Sequence, residues 1–581
     1  TKAGYDFANL ELQFFRAGDA ETRLTDMNGA TYNMEGGKMV VSKINKESKF
    51  TEKQDENFTM KKFALPNVKE GCIVEFKYST KTDFFQMLPA WYFEREIPIV
   101  YSEYDLRIPP FMKYRINQNG DVRPTPKREQ ITQTFTSHYA HIPNAEVNRA
   151  VYIAENVPAL KGENYTSSMG DYISKIEFDL NSVAMPGTSP MSYIRTWPKI
   201  VNGLKQQSNF GGYINKRDHA KEALKEILKD KPKADTVPYL IFNYVKNNLK
   251  WNNYHTYVSS ESDPKIIFEK KIGNSADINL AMLAMFKEAN IEAYPILIST
   301  RSNGKHPGTP SMHKFNALVI DAKIGDRHVF FDATSKNHTA DIIAYDDLNH
   351  TGLKVDLEKT SGEWVNTEEP KLSKREVSYV LNLDKSNKLT GRLFLNSTNY
   401  VALGKRNAYQ SAINQEEYLK TYKNNKPGLT IKDYKIENLD NPEETLTESM
   451  DVEIEDFVEE AGNLVYFNPF LFEVTKDNPF KQGSRKYPVD LGHPTEELYR
   501  FVVEVPKEYQ LEKLPADHKF YAQDNIATFY YSLKQDKNRF ILTSEIKLNK
   551  PVYTPQEYGQ LRVMFENVLK KQAEQIVIKK I

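Results

Sequence analysis

Alternating apolar and polar positions dominate the first 200 residues and predict strands. The segment 103–108 alternates charged and apolar side chains, and Pro109 and Pro110 end the run. Successive side chains of a strand point to opposite faces, so a period of two indicates a half-buried strand. Gly-rich and Asn-rich turns separate runs of this kind. The pattern predicts an N-terminal β-sandwich domain over residues 1–205.

The period changes to that of a helix near residue 215. Segments 218–228 and 237–251 carry apolar residues at helical spacing, and a third apolar helix starts near Ser275. Strands are then predicted at 293–299, 315–321 and 328–332. Helices followed by antiparallel strands are typical of an α+β fold. We therefore predict a central α+β core over residues 206–345.

Strand patterns return after about residue 350, where the helical signal fades. The segments 377–383, 388–395, 498–505, 527–533 and 540–548 read as strands, and a helical pattern reappears from Pro555 to Lys571. A C-terminal β-rich domain is predicted over residues 346–581. The chain as a whole is predicted to be a multidomain α+β protein.

Composition narrows the classes of partner. The chain carries 78 basic and 78 acidic residues, and this zero net charge argues against a nucleic acid or a membrane surface as partner. Its apolar runs are shorter than the ~18 residues that a membrane-spanning helix needs, so no transmembrane segment is predicted. The single cysteine, Cys72, excludes an intrachain disulfide. It is predicted to lie on the apolar face of a strand over 70–78, as inert core.

The segment around Ser275 holds the candidate chemistry. Residues 273–280 read Gly-Asn-Ser-Ala-Asp-Ile-Asn-Leu, and the helix that follows closes with Ala-Asn-Ile-Glu-Ala at 289–293. This resembles the helix start of the transglutaminase-like (papain-like thiol protease) superfamily, whose pattern is Gly-x-Cys-x-Asp or Gly-x-Cys-x-Glu. The resemblance places Ser275 at the position of the family's cysteine and Asp332 at that of its aspartate. The family's histidine, in Phe-Asn-His, corresponds to Ala317.

The flanking regions extend this resemblance. Residues 88–93 and 97–104 are similar to an N-terminal domain of unknown function (3857-type), and residues 485–492 resemble a third, 3858-type domain. The resemblance implies a Bacteroidetes-type bacterial protein with a transglutaminase-like core between two β-rich domains. Because family members of this layout usually carry export signals, it also implies the periplasm or the cell surface.

The residues at the matching positions predict that the enzyme is inactive. A thiol enzyme of this kind needs a cysteine at a helix N-terminus, a histidine base and an orienting aspartate. A serine hydroxyl needs a positioned base, and Ala317 occupies the base position. We interpret Ser275 as the N-cap of its helix, with Ala317 facing it from the neighbouring strand. The predicted function is that of a pseudoenzyme that holds a peptide, protein or glycan at the helix N-terminus.

Two alternatives remain open at this point. The chain could be an active peptidase or acyl transferase in which Ser275 uses His313 as a displaced base and Asp332 orients it. It could also be a structural spacer whose core only joins two β domains. A metal site is the weakest alternative, because His306, His313, His328 and His338 match no compact zinc spacing. No metal and no cofactor are predicted.

Overall fold

The computed structural model describes residues 2–53, 58–86, 88–136, 141–185, 189–193, 195–368 and 371–581. The chain is rich in strands, at 42% strand and 20% helix. It divides into two compact units: residues 1–160 with 173–194, and residues 161–172 with 195–581. No helix in the described ranges is long and apolar enough to cross a membrane. Short 3₁₀ helices lie at Lys2–Ala8, Met169–Asp171, Ala234–Thr236, Tyr345–Asp347, Leu471–Glu473 and Gln523–Asn525.

The first unit consists mainly of strands. They are β1 (Asn9–Ala17), β2 (Ala20–Glu35), β3 (Lys38–Lys43), β4 (Lys49–Lys53), β5 (Phe58–Ala64), β6 (Ile73–Thr82), β7 (Trp91–Tyr92), β8 (Ile99–Ile108), β9 (Met112–Asn119), β10 (Lys127–Thr136), β11 (His141–Val157), β12 (Lys175–Val183) and β13 (Met191–Ser192). The sheets run β3-β2-β1-β5-β4 with β6 on β2, β10-β11-β8, and β13-β12-β7 with β9 on β12.

The predicted strand character of this unit is confirmed, with one correction. The segment 103–108 lies in β8, where Leu106 pairs with Ala150 of β11. Both side chains pack with Phe178 of β12 in one buried cluster, so the three-stranded and four-stranded sheets share a core. The prediction for Cys72 is wrong. It lies just before β6 and is half-buried, because β6 starts one residue later and leaves it in the preceding turn.

The second unit begins with helices and then forms an antiparallel sheet. Its elements here are α1 (Trp197–Gln206), α2 (Gly211–Asn215), α3 (Asp218–Ile227), α4 (Val237–Asn248), β14 (Lys250–Trp251), α5 (Pro264–Lys270), β15 (Ile272–Gly273), α6 (Ser275–Glu288), β16 (Ala293–Ile298), β17 (Ala317–Ile324), β18 (Arg327–Phe331), β19 (Thr351–Asp356) and β20 (Ser361–Asn366). The sheet runs β18-β17-β16-β19-β20. Because Thr196 caps α1, the first helix starts before the predicted domain boundary at 205.

Helix α6 forms the centre of this core. Residues 275–286 are all buried, which is typical of a helix surrounded by protein on every side. On β17, Leu318 and Ile320 pack into the same cluster as α6. Ala317 and Val319 alternate with them and pack into a separate cluster on the other face of the sheet.

The rest of the second unit is built on an eight-stranded sheet. The elements are β21 (Ser373–Leu383), β22 (Leu389–Ser397), α7 (Asn399–Ser411), α8 (Gln415–Lys423), β23 (Leu429–Glu437), β24 (Leu446–Ile454), β25 (Val458–Ala461), β26 (Leu464–Phe467), β27 (Val489–Asp490), β28 (Thr495–Glu504), β29 (Tyr509–Lys513), β30 (His518–Tyr521), β31 (Ala527–Asp536), β32 (Arg539–Leu548), β33 (Val552–Tyr553), α9 (Tyr558–Gln572) and β34 (Ile576–Lys580). The large sheet runs β23-β24-β22-β21-β28-β32-β31-β30.

The strand-rich character of this region and the helix near residues 555–571 are confirmed by the large sheet and by α9. Helices α7 and α8 were not predicted. Asn414 caps α8 by accepting the N–H of Glu417, a signal that the sequence offers in Asn-x-x-Glu. Within the unit, the buried ion pair between Arg301 and Asp490, 2.8 Å apart, joins the core to the segment before β28.

Candidate functional site

Ser275 is the first residue of α6, and Asn274 is its N-cap. The Asn274 side chain accepts the N–H of Asp277 at 2.7 Å, and the Asp277 carboxylate accepts the N–H of Asn274 at 2.8 Å. This reciprocal arrangement is a capping box. The interpretation of Ser275 as the N-cap is therefore wrong, because the Asn-x-x-Asp spacing satisfies the helix one residue earlier.

The Ser275 hydroxyl forms two hydrogen bonds with the backbone of one other residue. It donates to the carbonyl oxygen of Thr256 at 2.8 Å and accepts the N–H of Thr256 at 2.9 Å. Its own backbone N–H donates to the carbonyl of Tyr254 at 3.2 Å. A serine hydroxyl has one proton to donate, and here that proton is committed. Ser275 is 3% exposed.

Asp277 also hydrogen-bonds a second segment of the chain at the start of α6. Its carboxylate accepts the N–H and the hydroxyl of Ser260, each at 2.8 Å. We call Asn274, Ser275 and Asp277, with Thr256 and Ser260, the Ser275 closure. Since the N–H groups of Ser275 and Asp277 both have partners in the chain, the expectation of an open ligand site at this helix N-terminus is wrong.

Asp332 lies directly after β18 and contacts α6, as the sequence predicts for the end of this strand. Its Oδ1 accepts from the amide of Asn279 at 3.1 Å and from the hydroxyl of Thr334 at 2.8 Å. Its Oδ2 lies 3.1 Å from Nδ1 of His338 and accepts the N–H of Ala344 at 3.2 Å. Burial alone would raise the pKa of Asp332, but the charge of His338 and these hydrogen bonds outweigh it and hold the pKa well below its usual range.

His338 is the histidine that the structure pairs with Asp332. It is buried, its Nδ1 also lies 3.0 Å from the backbone oxygen of Asp332, and its own carbonyl accepts from the ammonium of Lys246 at 2.8 Å. Sequence reasoning missed this pair, although His338 follows Asp332 by only six residues. His313, the predicted displaced base, is exposed and contacts the hydroxyl of Ser311.

Ala317 does not face Ser275. It is fully buried at the start of β17, opposite Ile298, and packs with Tyr400 and Leu403 on the face of the sheet away from α6. Strand alternation turns Leu318 toward α6 instead, and the carbonyl of Leu318 accepts from the amide of Asn279 at 2.9 Å. The predicted orientation of Ala317 is wrong for this reason.

The remaining histidines of the region have separate partners. His306 stacks on Phe315 with ring centroids 4.4 Å apart, and burial lowers the pKa of His306 to about 4. His328 contacts Asp321 at 2.9 Å. In the part of the chain that the structure describes, no group of three His, Cys, Asp or Glu side chains is placed to hold a metal ion.

An open cleft of about 1010 Å³ lies beside His338. Its lining comes from residues 247–251 and 334–338, Asn253, Lys271, Ala344 and Tyr345, one side of α7 between Tyr400 and Ser411, and His493. Trp251, in this lining, pairs with Gly273, two residues before Ser275. The cleft therefore extends to the strand that precedes α6. We call it the His338 cleft.

The fold is similar to that of one solved structure whose description names a protease. A crystal structure of a "putative protease" from Parabacteroides distasonis superposes with a TM-score of 0.58 over 100% of this chain and 93% of that chain, at 10% sequence identity. A "putative cysteine protease" from Cytophaga hutchinsonii, 11% identical, covers 40% of this chain and 79% of that one. Its TM-score of 0.16 is too low to carry an argument.

Both ends of the chain match domain families. Residues 1–146 match the DUF3857 model and residues 463–578 match the DUF3858 model, each a domain of unknown function with a solved structure. The chain thus carries the two flanking domains that the sequence resemblance predicts. No curated protein matches the chain significantly.

Proposed function

We propose that this chain is a non-catalytic transglutaminase-like protein that binds a peptide or glycan in the bacterial envelope and does not cleave it. The observation that carries the proposal is the double engagement of the Ser275 hydroxyl by Thr256. A serine nucleophile must pass its proton to a base as it attacks. Here the proton is directed at a backbone carbonyl, which is not a general base.

The contacts of the candidate base and acid support the same conclusion. Ser275 has no hydrogen bond to an imidazole in the described ranges, since both bonds of its hydroxyl go to Thr256. Asp332, which would orient the base in a triad, pairs with His338 rather than with His313. The alternative of an active peptidase would need Ser275 to bond to His313, but both hydrogen bonds given for its hydroxyl among the described residues go to Thr256.

The ligand site that we infer is the His338 cleft. Pockets that bind small ligands commonly measure about 300–1,000 Å³, and this cleft lies at the upper end of that range. We infer the envelope location from the resemblance of the two flanking domains to those of exported bacterial proteins. Fractionation of the source cells, with an antibody against the chain, tests the location. Recovery in the cytosol would contradict it.

Amide hydrolysis and acyl transfer by the purified wild type and by Ser275→Ala test the main claim. We expect no turnover by either protein. Ser311→Ala is the matched control, because Ser311 is a second serine in the core whose hydroxyl contacts a histidine. Turnover by the wild type that disappears with Ser275→Ala and survives Ser311→Ala would contradict the proposal. Thermal unfolding of each variant shows whether the fold is kept.

A further inference from the structure

The lining of the His338 cleft is basic, although the whole chain has no net charge. Lys250, Lys271 and Lys336 line it and are exposed. Among the described lining residues there is no aspartate or glutamate. A cleft lined by charges of one sign concentrates ligands of the opposite sign. The lysines therefore favour an anionic ligand.

Amide side chains are numerous in the lining. Six line the cleft: Asn247, Asn248, Asn253, Asn337, Asn407 and Gln410. The Asn337 amide donates to the side-chain oxygens of Asn407 at 2.7 Å and of Gln410 at 2.8 Å, which ties the 334–338 loop to α7. An amide both donates and accepts hydrogen bonds, as a sugar hydroxyl does.

The ring of Tyr400 forms part of the wall of the cleft, and its hydroxyl is buried. Tyr400 is 7% exposed and lines the cleft, yet its hydroxyl has no hydrogen-bond partner among the described residues. The Tyr400 ring stacks on His493 with centroids 4.7 Å apart, and Tyr345 lies edge-on to both rings.

We propose that the His338 cleft binds a carboxylate-bearing oligosaccharide. The lysines pair with the carboxylates, the amides bond the ring hydroxyls, and the aromatic rings cover the C–H faces of the sugars. The aliphatic lining is limited to Leu249, Ala344 and Leu403, and the rings of Trp251, Tyr345 and Tyr400 supply further apolar surface of the kind that packs on sugar rings. This inference rests on the proposed function, because it names the ligand class of the same cleft.

Calorimetric titration of the full chain with three probes tests the ligand class. The probes are tetragalacturonic acid, neutral maltotetraose and tetraglutamate. We expect the acidic sugar to bind at least about tenfold more tightly than either of the others, which corresponds to about 1.4 kcal/mol. Because the lysines are exposed, raising the salt from low to high concentration weakens this binding several-fold.

Three variants localise the binding. We expect Lys250→Gln with Lys336→Gln to weaken tetragalacturonate about tenfold. Lys435→Gln, at an exposed lysine of β23 outside the cleft lining, is the matched control and leaves the affinity unchanged. Tyr400→Phe keeps or raises the melting temperature, because it removes an unpartnered buried hydroxyl, and leaves the affinity for the acidic sugar unchanged.

The outcomes separate this inference from the proposed function. Tighter binding of tetraglutamate than of tetragalacturonate overturns the sugar assignment and leaves the binding function in place. Equal affinity for the acidic and neutral sugars, or unchanged affinity in the lysine variant, overturns the assignment to this cleft. Binding of none of the probes at millimolar concentration overturns the inference as well. The absence of amide turnover is measured separately and is affected by none of these results.

Discussion

Two adjoining regions, the Ser275 closure and the His338 cleft, differ in how their polar groups are satisfied. At the Ser275 closure, the hydroxyl, the capping amide and the carboxylate of Asp277 bond to neighbouring segments of the chain itself. At the His338 cleft, a buried Asp–His pair borders open space, and the hydroxyl of Tyr400 lacks a partner among the described residues. The comparison teaches that the polar groups at the start of α6 bond within the chain, while the adjoining cleft is open.

Removing the carboxylate of Asp332 has the largest expected effect on this comparison. Asp332→Ala leaves His338 buried without its ion-pair partner and removes the hydrogen bonds from Asn279 and Thr334. We therefore expect a loss of about 3–5 kcal/mol in the free energy of unfolding. Urea unfolding followed by tryptophan fluorescence measures it. Asp332→Asn, which keeps the shape and part of the bonding, should lose less. An Asp332→Asn variant as stable as the wild type would show that shape, and not the ion pair, holds this side together.

The buried ammonium of Lys246 makes the free energy of unfolding depend on pH. Burial lowers the pKa of Lys246 to about 8, with Glu443 opposing the shift, so the unfolded chain binds its proton more tightly than the folded chain does. Below pH 8, the buried charge of this lysine lowers the free energy of unfolding. That loss is recovered as the pH rises from 8 toward the unfolded pKa of 10.5.

Comparison of the wild type with Lys246→Met tests this dependence. Between pH 8 and pH 10.5, we expect the wild type to gain up to about 3 kcal/mol relative to the variant. Chemical unfolding at several pH values measures the difference. A constant difference across this range would show that Lys246 titrates normally in the fold.

Introducing the cysteine and histidine of the transglutaminase-like pattern at positions 275 and 317 tests the Ser275 closure. Ala317→His places a larger, polar side chain in a filled cluster, so we expect a loss of about 1–3 kcal/mol. Because position 317 faces away from α6, Ser275→Cys combined with Ala317→His should show no amide turnover. Ser275→Cys alone is the control for the thiol. Turnover by the double variant that neither single variant shows would mean that position 317 reaches the helix start.

Loss of the Ser275 hydroxyl gives the smallest expected effect. Ser275→Ala removes two hydrogen bonds to Thr256, and we expect a cost of about 1–2 kcal/mol. Hydrogen exchange at the Thr256 amide should become faster, since that N–H loses its acceptor. Ser311→Ala, away from the closure, should leave this amide unchanged. An unchanged rate at Thr256 after Ser275→Ala would contradict the closure.

Much of the framework could be predicted because it depends on local patterns. The period of two identified β8, the apolar run identified α6, and the strand-end position of Asp332 followed from the segment around it. The order of helices and then strands gave the core its sequence of elements. These features need only the neighbours of each residue along the chain.

The errors arise where distant segments decide the outcome. The N-cap of α6 is Asn274, one residue before Ser275. Asn274 and Asp277 form the capping box, but the sequence offers both Asn274 and Ser275 as possible caps. Parity along β17 gives alternation but not which face α6 covers, so Ala317 was assigned to the wrong side. His338 lies in a loop without periodicity, and only the folded chain brings it to Asp332.

Labelling of the wild type with a fluorophosphonate, a reagent that forms adducts with nucleophilic serines, tests the central claim most directly. Peptide mapping by mass spectrometry locates any adduct, and Ser275→Ala serves as the control. Because the Ser275 hydroxyl is buried and bonded to Thr256, we predict no adduct at Ser275. A stoichiometric adduct at Ser275 in the wild type that is lost in Ser275→Ala would contradict the account.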